Sequence, residues 1–363
     1  MFSISTPDQR LSSVLVRGTG LAAHCCLKLL GDAGIPARQE AVARPARPAL
    51  LMSEPALALV RDCLGRPQLL ADHPRVRRRI VAWGGKDPVS VDHDAIVLTA
   101  GALETALSSP DVIPAKAGIS GGEERAQLAR DPSLRWGDGR VGSGFTLHID
   151  PPFPNPAAQS FGQRPARALP VRLRRPEDRE ACWIEAVDQG WLFLLPSGED
   201  KGWLLCVGES ALDQSRHIAP RIEPTGPASG AFETAPRLIE SLTGSDWLAC
   251  GPGAIAFDPI CGDGSAQAVR EAILAVAVVT GIAEGHDAPP LLAHYQAMLL
   301  AAMRRHLRLC GDFYATGGQS PWWRGQFEAL REGFDRCTAR LATYPEPAYE
   351  LHGFRLVERG VTA

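Results

Sequence analysis

Apolar positions near the start of the chain first form a short β-branched and aliphatic run at 12–17, then take up helical spacing from Leu21 to Leu30. Gly18-Thr19-Gly20 lies between the two patterns, and Gly31 and Gly34 stop the second. The expected order is strand, tight turn, helix. A second extended piece is expected at 35–42, then a Pro- and Arg-rich stretch at 43–48 and a short helix over 54–63. Strands over 79–83 and 95–99 and a helix over 101–107 complete this part of the chain.

Periodicity is lost between 108 and 144, where Gly121-Gly122-Glu123-Glu124 and Gly137-Asp138-Gly139 punctuate a polar stretch. The piece Asp111-Val112-Ile113-Pro114-Ala115-Lys116-Ala117-Gly118-Ile119 looks like a translated bacterial interspersed repeat. The stretch therefore reads as an inserted surface loop, since long structureless segments inside domains are uncommon. Strand patterns resume at 145–149, 168–173, 182–187, 191–195 and 203–207, at the short spacing of an antiparallel sheet. One more short strand at 246–250 runs into Gly251-Pro252-Gly253, after which helices are expected over 265–283, 291–310 and 322–341. The expected class is α/β: a Rossmann-like unit, an inserted antiparallel sheet and C-terminal helices.

Composition narrows the function classes. Of 363 residues, 45% are hydrophobic and 22% charged, so the chain can bury a substantial core. A net charge of −3 gives no general attraction to nucleic acid or to acidic membranes, and neither is expected as a partner. Arg75, Arg77, Arg78 and Arg79 cluster, and read as a solvated turn or strand entry. Nine cysteines show no CxxC pair and no His/Cys ligand spacing, so no metal site is expected. Their odd number and the lack of a signal-peptide pattern point to a reducing cytosol. The longest apolar run, 272–283, is too short for a membrane span and reads as a buried helix. His148, His217, His286, His294 and His306 read as surface or internally satisfied residues.

Two constellations carry chemistry. In Gly18-Thr19-Gly20-Leu21-Ala22-Ala23, Gly18 permits a tight turn and Gly20 admits close approach of a pyrophosphate. Ala23 lets helix and strand pack closely, and the helix N-terminus presents N–H donors. The structural alternative is an ordinary βα turn. In the second, Gly251-Pro252-Gly253 is followed by Phe257-Asp258-Pro259-Ile260-Cys261-Gly262-Asp263-Gly264-Ser265 at the start of a long apolar helix. This makes a second backbone surface facing an anion, or else a glycine-rich loop capped by Asp263 or Ser265.

Taken together, the two motifs resemble the FAD-dependent aromatic hydroxylase and tryptophan halogenase superfamily. Phe313-Tyr314 with Pro321-Trp322-Trp323-Arg324 is similar to the C-terminal helices of the halogenase-like flavoproteins that modify tryptophan in quinone-cofactor enzymes. The resemblance implies a discontinuous FAD-binding domain over 1–107 and 244–290, a substrate domain over 145–243 and a helical segment over 291–363. It implies Gly18, Thr19, Gly20, Leu21, Ala22 and Ala23 at the FAD pyrophosphate. It also implies Asp258, Pro259, Gly262, Asp263, Gly264 and Ser265 beside the ribityl chain and ring. The activity implied is that of a cytoplasmic oxidoreductase hydroxylating an aromatic or protein-bound aromatic substrate, with NAD(P)H or a flavin reductase as electron donor.

The sequence departs from that pattern at several points. Pro252 stands where the family carries an Asp for the ribityl chain, and Ala41 where an acidic residue would hold the adenosine ribose, with Glu40 out of phase. No middle Asp-Gly motif and no Trp-x-Trp-x-Ile-Pro halogenase motif are found. Trp183, Trp191, Phe193 and Trp203 either face a substrate or pack a core. The departures support a second reading, a degenerate member that binds a peptide or partner protein without turnover. An NAD-linked dehydrogenase is a weaker third, because it leaves the late Asp-Pro segment without a role.

Overall fold

The structure, a computed structural model, describes residues 11, 13–43, 48–109, 144–209, 212–262 and 264–360. The expected loop at 108–144 lies almost wholly outside the described residues. Strand β1 (Val14–Arg17) buries Val14 and Val16, and α1 (Leu21–Asp32) buries Ala22, Cys25, Cys26, Leu29 and Leu30 along one stripe. Next come β2 (Ala37–Glu40), β3 (Leu50–Ser53), α2 (Glu54–Leu64), β4 (Arg75–Ala82), β5 (Val89–Leu98) and α3 (Ala100–Ser108). Residues from 145 onward form β6 (Phe145–His148), β7 (Ala158–Ser160), β8 (Pro165–Leu173), β9 (Ala181–Val187), β10 (Gly190–Gly198) and β11 (Lys201–Gly208). Short strands follow: β12 (Ile222–Pro224), β13 (Phe232–Glu233), β14 (Arg237–Ile239), β15 (Trp247–Ala249) and β16 (Ile255–Ala256). Helices α4 (Gly264–Ala283), α5 (Ala288–Gly317) and α6 (Pro321–Leu341) precede a terminal hairpin of β17 (Tyr349–His352) and β18 (Arg355–Glu358).

Two principal sheets result. One has four parallel strands in the order β15-β6-β1-β2, with α1 packed against α4. The other has nine strands, ordered β12-β8-β11-β10-β9-β4-β5-β3 with β13 beside β8, and only its β4–β9 pair is parallel. The fold class is the expected α/β arrangement. Residues 145–149, expected among the antiparallel strands, instead lie parallel to β1, with Val14 opposite Phe145 and Arg17 opposite His148. Conversely, β3, β4 and β5 join the large sheet. Partner choice reflects which faces the whole chain must bury, and a strand's own pattern does not carry that information.

Helix α4 is apolar nearly all round because α1, α2 and α5 surround it. Among the described residues it alone is long and apolar enough to cross a membrane, and 83% of that stretch is buried in the fold. Along β10, Trp191, Phe193 and Leu195 enter the main core, whereas Leu192 and Leu194 enter a smaller one with Trp183, Leu204 and Ile222. Both faces of the strand are thus covered. The Arg75–Arg79 cluster is a strand, β4. Arg75 pairs with Glu54 and Asp94, and Arg77 with Glu180, while Arg79 is half-buried.

Candidate functional site

The C-terminal edge of the parallel sheet brings both glycine motifs together. Gly18 (φ +137°) and Gly20 (φ +79°) adopt conformations that side-chain-bearing residues rarely take. A Cβ on Gly18 would fall 2.7 Å from the Ile149 Cβ. No side chain caps α1, and its first backbone bond runs from His24 N–H to the Gly20 carbonyl. The amides of Leu21, Ala22 and Ala23 therefore precede the helical ladder, in residues exposed by 7%, 2% and 0%.

The turn is fixed by a carboxylate that sequence reasoning missed. Thr19 N–H donates to Asp150 Oδ2 at 2.9 Å, and Asp150 is buried immediately beyond β6. Asp150-Pro151 thus stands beside the first glycine turn, in a sequence without a middle Asp-Gly motif. The available signal was an acid directly after an alternating apolar strand. On the other side of the turn, Gly18 N–H donates to the Glu40 carbonyl, and Gln39 Nε2 donates to the Gly18 carbonyl at 2.8 Å. The Glu40 carboxylate takes Arg17 Nε at 2.8 Å, and that hydrogen bond lowers its pKa.

The late segment abuts this turn, since a Cβ on Gly251 would lie 3.2 Å from the Ala22 Cβ. Gly251 N–H donates to Glu271 Oε2 at 2.6 Å. Glu271, on α4, borders a cavity of about 40 Å³ with Pro252, Ile255, Phe257, Gly264 and Gln267. Burial pushes its carboxyl up to about 8, against the hydrogen bonds from Gln267 and Gly251 that favour the ionised form. Because the folded value lies above the ordinary 4.5, this group's stabilisation is full below about pH 4.5 and is lost as pH rises towards 8. The loss amounts to roughly 4–5 kcal/mol. Glu271→Gln is therefore expected to flatten the decline in stability between pH 5 and 9, measured by urea unfolding; an unchanged slope would refute the assignment.

Asp258 points away from that cavity. Its carboxylate accepts from Ile260 N–H at 3.0 Å and from Tyr314 Oη at 2.9 Å, and lies 3.1 Å from Arg164 Nη1. Both charged side chains are fully buried. Burial raises the Asp258 pKa and Arg164 opposes the shift. Trp191 Nε1 donates to Tyr314 Oη at 3.0 Å, extending the network into the large sheet. Pro259 opens a short 3₁₀ turn, Pro259–Cys261, and Gly262 (φ +66°) ends it, with a Cβ there 3.1 Å from Arg79 Nη2. Gly264 and Ser265 lie in the first turn of α4, and Asp263 is outside the described residues.

One grouping is invisible in the sequence spacing. His306 Nε2 accepts Asp258 N–H at 2.8 Å, and its ring stacks on Phe257 with centroids 3.9 Å apart. Burial, helped by Arg164 and Arg305, pulls the imidazole down to about 3, so it is neutral. Cys310 Sγ lies 3.3 Å from the same nitrogen and 3.5 Å from Cys261 Sγ. The three donor atoms fall within 4.8 Å of one another, whereas the sequence reading expected no such set.

The aromatic residues are chiefly core. Trp183, Trp191 and Phe193 are buried and Trp203 is half-buried. Trp323 is fully buried and donates to the Val187 carbonyl at 2.9 Å. Trp322 and Trp323 meet edge to face at 4.9 Å, as helix packing requires.

No protein-family model and no curated protein matches this sequence. Solved structures do match. The flavin-dependent halogenase CmlS superposes with a TM-score of 0.70 at 16% identity, covering 94% of this chain and 74% of CmlS. The peptidyl tryptophan dihydroxylase QhpG, essential for tryptophylquinone cofactor biogenesis, gives 0.66 at 17% identity over 96% of this chain and 86% of its own. The myxobacterial chondrochloren halogenase CndH gives 0.65 at 14% identity over 96% and 94%. The chain has the fold of the halogenase-like flavoproteins.

Proposed function

We propose that this protein is an FAD-dependent oxidoreductase, a monooxygenase acting on an aromatic or protein-bound aromatic substrate. The observation that carries the reading is the uncapped first turn of α1 behind Gly18-Thr19-Gly20, lying directly against the late segment at Gly251. The fold supports it, being shared with proteins named for flavin-dependent halogenation and for dihydroxylation of peptidyl tryptophan.

The residues fit FAD at its phosphate end. The amides of Leu21, Ala22 and Ala23 would bind the pyrophosphate, favoured by the positive end of the helix dipole. Asp150 would hold the turn open to it through Thr19, and Gly262, Gly264 and Ser265 would face the ribityl chain and ring. A carboxylate at 252 is lacking, and the Glu271 carboxyl, raised in pKa by burial, lines the same cavity as Pro252. A bound flavin supplies the redox and oxygen chemistry, and the chain supplies binding, orientation and exclusion of water. NAD(P)H or a flavin reductase would supply the electrons.

Gly20→Asp should abolish flavin binding, because it puts a side chain and a negative charge into the pyrophosphate position. The test is the visible spectrum of the purified protein and its variant after FAD addition and gel filtration. Flavin retained by the parent and lost by the variant supports the reading. A second reading, a partner-binding protein without turnover, is favoured by Pro252 and by the size of the cavity. At about 40 Å³ it is far below the roughly 300–1,000 Å³ of ligand sites. Absence of flavin from both proteins would select this second reading.

A further inference from the structure

We propose that Cys261 and Cys310 form a reversible disulfide on exposure to a peroxide, tying the 3₁₀ turn Pro259–Cys261 to α5. Two buried polar clusters meet at this point, and the thiols come from elements 49 residues apart with their sulfurs 3.5 Å from each other. Bond formation needs a closing movement of about 1.5 Å to reach the ordinary S–S length of about 2.05 Å.

The two sulfurs differ in access, which sets the order in which a small oxidant meets them. Cys261 is half-buried and can meet a small oxidant, whereas Cys310 is fully buried with its thiol pushed well above the ordinary range by burial. Cys261 is therefore oxidised first and Cys310 resolves. The Cys261 thiolate displaces hydroxide from hydrogen peroxide, forming an S–O bond as the O–O bond breaks. The hydroxide takes up a proton and leaves as water. The Cys310 sulfur then attacks the sulfenic sulfur, the S–S bond forms and the S–O bond breaks, and the thiol proton leaves with the hydroxide as a second water. Two thiols lose two electrons in all, and one peroxide accepts them.

Two further thiol pairs in the same molecule lack this combination. Cys25 is hydrogen-bonded to Cys63, and Cys250 to Cys26, and all four are exposed by 2% or less. A metal ion fits the Cys261–His306–Cys310 group less well. The lone pair of His306 Nε2 already accepts Asp258 N–H at 2.8 Å, and with Nδ1, 4.0 Å from Cys310 Sγ, the group offers three ligands at most where a structural zinc site takes four. The disulfide asks nothing of His306 and leaves that bond in place.

The experiment uses the full chain, reduced, desalted and treated with hydrogen peroxide at a small molar excess. Free thiols are alkylated under denaturing conditions and the digest is mapped by mass spectrometry. The expected result is a Cys261–Cys310 linked peptide that dithiothreitol removes, with Cys25, Cys26, Cys63 and Cys250 still alkylated. In Cys310→Ser, Cys261 should accumulate as a dimedone-reactive sulfenic acid; in Cys261→Ser, Cys310 should stay reduced. Both thiols remaining free in the treated parent would overturn the proposal, and that measurement does not depend on whether either variant folds. It would equally be overturned if both thiols were shielded from alkylation in the native protein by a zinc ion that a chelator strips, since the group would then be a metal site.

Discussion

Arg164→Met is expected to reduce the free energy of unfolding by about 3–5 kcal/mol, the cost of leaving a buried charge without its partner. The Arg164 and Asp258 side chains are both fully excluded from solvent. The guanidinium also lies over the Tyr314 ring, 4.3 Å from its centroid. Asp258 would keep its bonds from Ile260 and Tyr314, and would relieve part of the loss by taking up a proton, because burial already raises its pKa. The double variant Arg164→Met, Asp258→Asn should therefore be more stable than the single one. The positive coupling would appear in a double-mutant cycle by urea denaturation. A loss of less than about 1 kcal/mol for Arg164→Met, the range of a solvated surface pair, would show that the pair is not closed off from water.

Trp323→Ala should cost a similar amount, about 3–5 kcal/mol, for a different reason. The indole is fully buried in the first turn of α6, with the rings of Trp83 at 5.3 Å and Tyr314 at 5.5 Å. Backbone at Gly317 and Gly318 lies so close to it that no Cβ fits at either position. Truncation would leave a void walled by rigid backbone, which cannot collapse to fill it. Trp323→Phe would retain most of the packing and lose the bond to the Val187 carbonyl, and should cost about 1–3 kcal/mol for the unpaired acceptor and the smaller ring. Thermal unfolding of both variants checks the order; equal losses would assign the effect to the hydrogen bond and not to volume.

Local structure was largely legible in the sequence where a segment carries its own pattern. The Val-Leu-Val strand, the glycine turn and the helix after it need no distant residue to be recognised, and α2, α4, α5 and α6 fall where apolar spacing places them. Strands β12, β13 and β14 have two or three residues, too few for any period to emerge. The terminal hairpin escaped because most of its residues are exposed and it presents no apolar face to mark it. The site shows the same limit more sharply. Asp258 stands out in the sequence, but its partners Arg164, His306 and Tyr314 come from other elements, and nothing local to Arg164 or His306 distinguishes them from surface residues. Glu271 sits in an apolar helix where its partner is a backbone amide twenty residues earlier. Asp150 lay in view, and only the pairing of β6 with β1 reveals what it holds.

That pairing has a consequence for the nascent chain. The strand order β15-β6-β1-β2 sets β1 inside its sheet, between β2 and a neighbour that begins at Phe145, with the outer strand at Trp247–Ala249. As the ribosome delivers it, β1 can pair along one edge only, and its other edge stays open while well over a hundred further residues are made. Such sequence-distant contacts slow folding and leave an unpaired apolar strand exposed to other chains. Expression at lower temperature, or with a chaperone that shields β1 until β6 is made, should accordingly raise the soluble yield.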